Sequence, residues 1–271
     1  TAYENNPDYP ERLFLNSAEA LELADESSMV VVVDTNRPGM TECEELLHVA
    51  KTIVVLDHHR QSSDNIDNAL LSYIEPDASS ACEMVSEVLQ YIVDDIKIPN
   101  LEASSLYAGI MIDTNNFMNK TGVRTFEAAA FLRRSGADIT LVRKMFRDDM
   151  ESYRAKAQII SSAEVYHNKY AIARGENLTI ESPTIIGAQA ANELLDINEV
   201  KASFVLTTYN GRIYVSARSI DEVNVQIIME RLGGGGHMNA SGAQFDHTDM
   251  DEAVADLKQV IDDVIEGGEI E

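Results

Sequence analysis

Residues 53–60 read Ile-Val-Val-Leu-Asp-His-His-Arg, a short apolar run that ends in an acid, two imidazoles and a guanidinium. Four branched apolar residues in a row suit a buried strand. The polar residues then fall at its C-terminal end, where open α/β sheets carry their ligands. Neutral imidazole and carboxylate together suit divalent ions such as manganese, and arginine suits phosphate. Asp57-His58-His59 alone is also what an ordinary polar loop looks like, so its weight depends on the rest of the chain.

Working outward, Met29–Val33 is a second apolar run, ending in Asp34-Thr35-Asn36. Asp34 and Asp57 lie 23 residues apart with a helical pattern between them, capped by Thr41 and covering residues 42–50. That is a βαβ unit, and its crossover brings both strand ends to one edge of a parallel sheet. Upstream, residues 1–16 carry prolines and asparagines and read as loop, and Ser17 caps a short helix through residue 24. Downstream, residues 70–74 form a third strand. Ser79-Ser80 opens a helix with Met84, Val85, Val88, Leu89 and Ile92 at helical spacing, and Ser79 pairs loosely with Glu83. A strongly apolar helix over 101–112 runs into Asp113, where an acid at the end of a buried segment needs a partner or a metal. Helices follow over 125–135 and 138–146, split by Gly136. A charged, Met-rich stretch over 143–157 reads as a helical connector.

The pattern then changes. Residues 170–173 read as a strand and 183–195 as a helix. Residues 201–209 and 212–219 form a hairpin about Asn210-Gly211. A helix over 223–232 ends in the loop Gly233-Gly234-Gly235-Gly236-His237, followed by a strand over 243–245 and an acidic amphipathic helix over 249–265. The prediction is a two-domain α/β protein. Its first domain has a mainly parallel sheet flanked by helices and spans residues 1–147. A connector spans 148–160, and a smaller domain with a mixed sheet spans 161–271.

The balance of 21 basic against 46 acidic residues gives a net charge of −25. Such a chain repels a polyanion at long range, which argues against long DNA or RNA as a partner. A small phosphorylated ligand remains compatible where metal ions and a few arginines reverse the field locally. Cys43 and Cys82 make no disulfide framework and read as structural. No run approaches the ~20 apolar residues that a membrane-spanning helix needs. The chain begins at Thr1 rather than at methionine, so the expectation is a fragment of a longer protein.

These motifs together resemble the DHH–DHHA1 phosphoesterases, and among them most closely the GdpP/YybT-type cyclic-di-AMP phosphodiesterases. Val33-Asp34-Thr35-Asn36, Asp57-His58-His59 and Gly109-Ile110-Met111-Ile112-Asp113-Thr114 are similar to the family's second, third and fourth motifs. Ser216-Ala217-Arg218-Ser219, Val223-Asn224-Val225-Gln226 and the run from Gly233 to Ala240 resemble its DHHA1 domain. The resemblance implies a two-manganese centre. Asp34 would bridge the ions, His58 and Asp113 would complete one shell, and Asp57 would orient an imidazole from behind. With His58, Asp57 and His59 would be the catalytic residues. His59 and Arg60 would face substrate phosphate. Arg218, Asn224, the four glycines Gly233, Gly234, Gly235 and Gly236, and His237 would bind the nucleotide. The implied reaction is hydrolysis of cyclic di-AMP to linear pApA. An oligonucleotide-degrading phosphodiesterase and a catalytically incomplete nucleotide sensor stay open as alternatives. The resemblance also implies a cytoplasmic catalytic region anchored in a bacterial plasma membrane through upstream segments, and leaves homodimerisation open.

One departure stands out. The family's first motif, His-x-x-x-Asp-x-Asp, matches none of the six histidines (48, 58, 59, 167, 237 and 247). The chain thus carries about half of the implied ligand set, and weak metal binding is expected of it. His48, His167 and His247 match no motif and read as ordinary histidines.

Overall fold

The computed structural model describes residues 3–4, 6–61, 63–93, 95–220, 222–246 and 249–270; His247 lies outside the described residues. The chain divides into two units, Thr1–Arg147 and Asp148–Glu271. The first runs α1 (Ser17–Leu23), β1 (Met29–Val33), α2 (Leu46–Val49), β2 (Thr52–Asp57), β3 (Leu71–Ile74), α3 (Ala81–Ile92), α4 (Asn100–Asp113), α5 (Val123–Arg134) and α6 (Ile139–Met145). Its three strands pair in parallel in the order β1-β2-β3, with Val33 opposite Leu56 and Asp57 opposite Ile74. Val32, Ile53 and Val55 bury one face of this sheet with Leu47 and Ile66. Ala103, Ile110, Ala128 and Leu132 close a second core between α4 and α5.

Two helix starts differ from the expectation. Asn16, not Ser17, caps α1: its side chain accepts from the Glu19 amide while Glu19 accepts from the Asn16 amide, both at 3.0 Å. The helix expected over 42–50 shrinks to the single turn of α2. Thr41 Oγ donates to the Pro38 carbonyl at 2.6 Å and closes a 3-10 turn over Pro38–Met40 instead of capping a helix. Ser80 caps α3 by accepting from the Glu83 amide at 3.0 Å, and the Ser79 hydroxyl donates to Glu83 at 2.5 Å.

The second unit runs α7 (Met150–Ser161), β4 (Glu164–Tyr166), β5 (Tyr170–Gly175), α8 (Pro183–Leu194), β6 (Ala202–Tyr209), β7 (Arg212–Ser219), α9 (Val225–Arg231), β8 (Gly235–His237), β9 (Ala240–Phe245) and α10 (Met250–Glu266). Asp149 caps α7 through the amides of Glu151 and Ser152, so the charged stretch 143–157 is two helices with a break rather than one. The mixed sheet has the order β4-β5-β6-β7-β9-β8, with β5 and β6 parallel and the other pairs antiparallel. Alternation sorts its two faces. Ile172, Phe204, Leu206, Val215 and Ala217 pack with residues of α9 and α10. Ala171, Ala173 and Val205 pack with residues of α7 and α8. Among the described residues, no helix is long and apolar enough to cross a membrane.

The glycine run is not a free loop. Gly235–His237 forms the edge strand β8, paired with β9. Fold explains three of its four glycines. Gly233 has φ +77, a Cβ on Gly234 would lie 2.1 Å from the Gly242 carbonyl oxygen, and one on Gly236 would lie 2.6 Å from Ser241 Cα. A Cβ on Gly235 would meet nothing within 4 Å. Gly234→Ala is therefore expected to lower the stability of this unit by about 1–3 kcal/mol, the usual cost of overpacking. Gly235→Ala should shift it by no more than about 0.5 kcal/mol, as a substitution in open space does. Urea denaturation of the two variants checks this; equal losses would mean that β8 does not hold its place against β9.

Candidate metal centre

Parallel pairing sets Asp34 and Asp57 side by side. The Asp34 amide donates to the Leu56 carbonyl at 3.1 Å as β1 ends. Asp34 itself turns through φ 66, a left-handed conformation that aspartate tolerates better than most residues. Asp57, the last residue of β2, is fully buried. A buried carboxylate is costly unless donors surround it. Here Asn36 Nδ2 donates to Asp57 Oδ2 at 2.5 Å, and the His59 amide donates to Oδ1 at 3.1 Å. His59 Nδ1 lies 2.7 Å from the same Oδ1. A carboxylate accepts, so Nδ1 carries the proton and Nε2 of His59 keeps its lone pair.

His58 is held from the other side. Its Nδ1 lies 3.4 Å from the Ala78 carbonyl oxygen, which can only accept, so Nε2 is again the free donor atom. That Nε2 lies 3.3 Å from Asp34 Oδ1 and 4.0 Å from Asp113 Oδ2. The two imidazole rings meet at 4.4 Å, tilted by 61°. Ligand atoms of Asp34, His58 and His59 all lie within 4.8 Å of one another. Asp113 ends α4 beside them. Burial raises its carboxyl pKa above the ordinary value; the His58 charge opposes the shift, and the Asp34 charge adds to it. Burial, together with Asp113 and Asp34, also pushes the Cys82 thiol up to about 11, so Cys82 stays a neutral packing residue behind the acids.

These donors fit a divalent metal. Two carboxylates and two imidazoles make a mixed oxygen and nitrogen set of the kind manganese takes. Asn36 Oδ1, buried next to Asp57, has no hydrogen-bond partner among the described residues, a buried acceptor left for an incoming donor. Arg60 is exposed just beyond His59.

The predicted nucleotide residues are in the second unit. Arg218 in β7 and His237 in β8 both stand opposite Ala240 in β9, so the three share one row and one face. The next row on that face is Ser216, Gly242 and Gly235. By the alternation of β7 this is the α7/α8 side of the sheet, and Ala240 and His237 are exposed on it. The result is a floor of hydrogen atoms, one methyl and one hydroxymethyl, with a guanidinium and an imidazole across it. Burial lowers the Arg218 pKa, and its guanidinium donates to its neighbour's carbonyl, Ala217 O, at 2.9 Å. Asn224 is drawn into the fold: its side chain caps α9 by accepting from the Gln226 amide at 3.1 Å. Sequence reasoning named Gly235 but did not single out Asn36, the Ala78 carbonyl or Gly242, nor the row that Ser216, Gly242 and Gly235 form. Only Asn36, two residues past Asp34, carried a local signal.

Comparison with known proteins agrees along the chain. The model of the DHH family N-terminal domain matches residues 3–110, and the DHHA1 domain model matches residues 177–266. The cyclic-di-AMP phosphodiesterase GdpP of Geobacillus thermodenitrificans is 44% identical over 251 residues, covering 92% of this chain and 38% of that protein. The chain thus spans less than two-fifths of the length of that relative. The bifunctional oligoribonuclease and PAP phosphatase NrnA of Mycoplasma genitalium is 31% identical, with 80% of this chain and 68% of that protein covered. An exopolyphosphatase-related protein from Bacteroides fragilis has the same fold, with a TM-score of 0.78 at 23% identity over 90% of this chain and 74% of its own. Both domain models fall in order on the two units, and the parallel sheet ends in the Asp-His-His motif: the chain belongs to the DHH family, with a DHH N-terminal domain followed by a DHHA1 domain.

Proposed function

We propose that this chain is the catalytic region of a manganese-dependent phosphodiesterase that hydrolyses cyclic di-AMP to linear pApA. The observation that carries the reading is the cluster of Asp34, His58 and His59, whose ligand atoms lie within 4.8 Å of one another, with Asp113 Oδ2 4.0 Å from His58 Nε2. The 44% identity to a GdpP phosphodiesterase, against 31% to an NrnA, supports the cyclic dinucleotide as substrate.

Asp34 and His58, with Asp113 and His59, hold the ions. Bound metal would supply Lewis acidity, acidifying a water and offsetting the charge that gathers on the phosphate oxygens. Asp57 fixes the His59 ring and Asn36 fixes Asp57. Arg60 receives a non-bridging phosphate oxygen. In the second domain, Arg218 grips a phosphate and His237 donates to phosphate or base, over a floor where Gly235 allows close approach. Short anionic dinucleotides suit a chain of net charge −25 better than a polyanion does. Cytoplasmic placement, on a parent anchored in the membrane, belongs to the same proposal.

Three expectations test it. With the family's first motif absent, calorimetric titration of this chain with manganese should show only weak binding, and His58→Ala should abolish it; two tight sites would mean that the present donors suffice. On a chain extended upstream through that motif, cyclic di-AMP should be hydrolysed in manganese. Asp57→Ala should cut turnover by about 10–100-fold, the usual cost of losing a residue that orients a metal ligand. Turnover absent with nucleotide binding intact in all variants would make the protein a sensor, and pApA cleaved faster than cyclic di-AMP would make it an oligonucleotide-degrading enzyme. Gly235→Ala, neutral to folding, should raise KM about tenfold, the worth of one hydrogen bond to a charged group.

A further inference from the structure

The turn that follows Asp113 is built in an uncommon way. Asn115, Asn116 and Phe117 take φ of 45, 58 and 65, three successive non-glycine residues in the left-handed region. The conformation is held from α4. The Asn116 amide donates to the Met111 carbonyl at 2.8 Å, and the Asn119 amide to the Thr114 carbonyl at 2.8 Å. Thr114 Oγ donates to the Ile110 carbonyl at 2.6 Å and accepts from the Phe117 amide at 3.0 Å. Strained backbone that the surroundings over-determine concentrates at functional sites. Its effect here is to fold the Phe117 ring back onto Tyr107, edge to face at 5.8 Å, and against Phe126 in a parallel stack at 5.8 Å and 15°.

Phe126 is the end of that stack, and its ring is 57% exposed. Around it in sequence lie Met118, Val123 and Ile112, all more than 60% exposed. The first turn of α5 is tied to the strand edge that carries the metal centre. Arg124 donates twice to Glu87 at 2.7 Å and reaches Glu75 at 3.5 Å; the Glu75 amide donates to the Asp57 carbonyl at 2.9 Å. Tyr107, the inner end of the stack, lies six residues before Asp113 on α4, about 9 Å along the helix axis. An aromatic face with apolar flanks, on a helix whose first turn is bonded through Arg124 and Glu75 to the end of β2 at Asp57, suits a purine ring.

We infer that Phe126, backed by Phe117, is a stacking seat for one nucleobase of the substrate whose phosphate goes to Asp34, His58 and His59. The inference rests on the phosphodiesterase reading for its ligand and on the Phe117–Phe126 stack for its place. Side-chain amides of Asn115 and Asn116 stand in the same turn as donors and acceptors for a base edge.

The chain contains no tryptophan, so Phe126→Trp installs a single fluorophore at the seat. Emission should be quenched saturably by pApA and not by inorganic phosphate. In calorimetry Phe126→Ala should bind pApA about tenfold more weakly, and Phe126→Tyr should restore binding, because stacking needs the ring and not its identity. Melting temperature of each variant controls for folding. Equal quenching by phosphate and pApA would overturn the seat. So would unchanged pApA affinity in Phe126→Ala, or a change of oligomeric state by light scattering with affinity unchanged, which would mark the patch as a subunit interface. Quenching by pApA in a protein whose upstream-extended form shows no manganese-dependent hydrolysis would sink the phosphodiesterase reading and leave the seat standing.

Discussion

One buried carboxylate organises the first domain. Asp57 has no exposure to solvent, and a lone charge there would cost several kcal/mol. Its oxygens are satisfied by Asn36 from the end of β1 and by the amide and ring of His59 from its own turn. Its backbone carbonyl accepts from Glu75, at the end of β3. Three strand ends are therefore tied to one residue. A slip of β2 by one position would put Asp57 on the opposite face and take its acceptors away from Asn36 and Glu75. The register that builds the sheet and the register that builds the site are the same register.

The two histidines that follow share a purpose but not a support. His59 is backed by a carboxylate and His58 by a backbone carbonyl. Both supports set an acceptor at Nδ1 and leave Nε2 as the other ring nitrogen, but the carboxylate is the closer of the two, at 2.7 Å against 3.4 Å. The fold supplies the weaker support through the turn that caps α3. Ser79, Ser80 and Glu83 are all buried there, and the Ser79–Glu83 bond holds the backbone immediately after Ala78. What looks in sequence like a simple helix cap is also the wall behind the His58 ring.

Much of this was legible in advance, and for a physical reason. Apolar β-branched runs that stop abruptly at polar residues mark buried strands with functional candidates at their ends, as at Asp34, Asp57 and His58, while Asp113 stands at the end of an apolar helix. The two-domain α/β class followed from the change of pattern along the chain. What escaped was whatever depends on partners distant in sequence. Thr41 had the right chemistry for a cap, but the Pro38 carbonyl was nearer. Ser17 was displaced by Asn16 because only Asn16 has glutamate three residues on to complete the reciprocal pair. The glycine run read as a loop, yet Gly234 and Gly236 answer to close packing against β9, a contact that no local pattern reveals. The Arg218–Ala240–His237 row exists only after β9 has inserted between β7 and β8.

The acidic balance of the chain sharpens the meaning of Arg218. With 46 acidic residues available, an arginine that burial destabilises would ordinarily be neutralised by one of them. Among the described residues its hydrogen bond goes instead to a neutral carbonyl. A partly desolvated guanidinium that meets a carbonyl carries a desolvation cost that an opposite charge would offset. Beside it, Gly235, Gly242 and Ala240 add no side chain larger than a methyl group to that face. A carboxylate on a neighbouring strand would stabilise the domain and fill the seat at once. Among the described residues the fold forgoes that stability at Arg218, whose guanidinium is given a carbonyl and not a carboxylate.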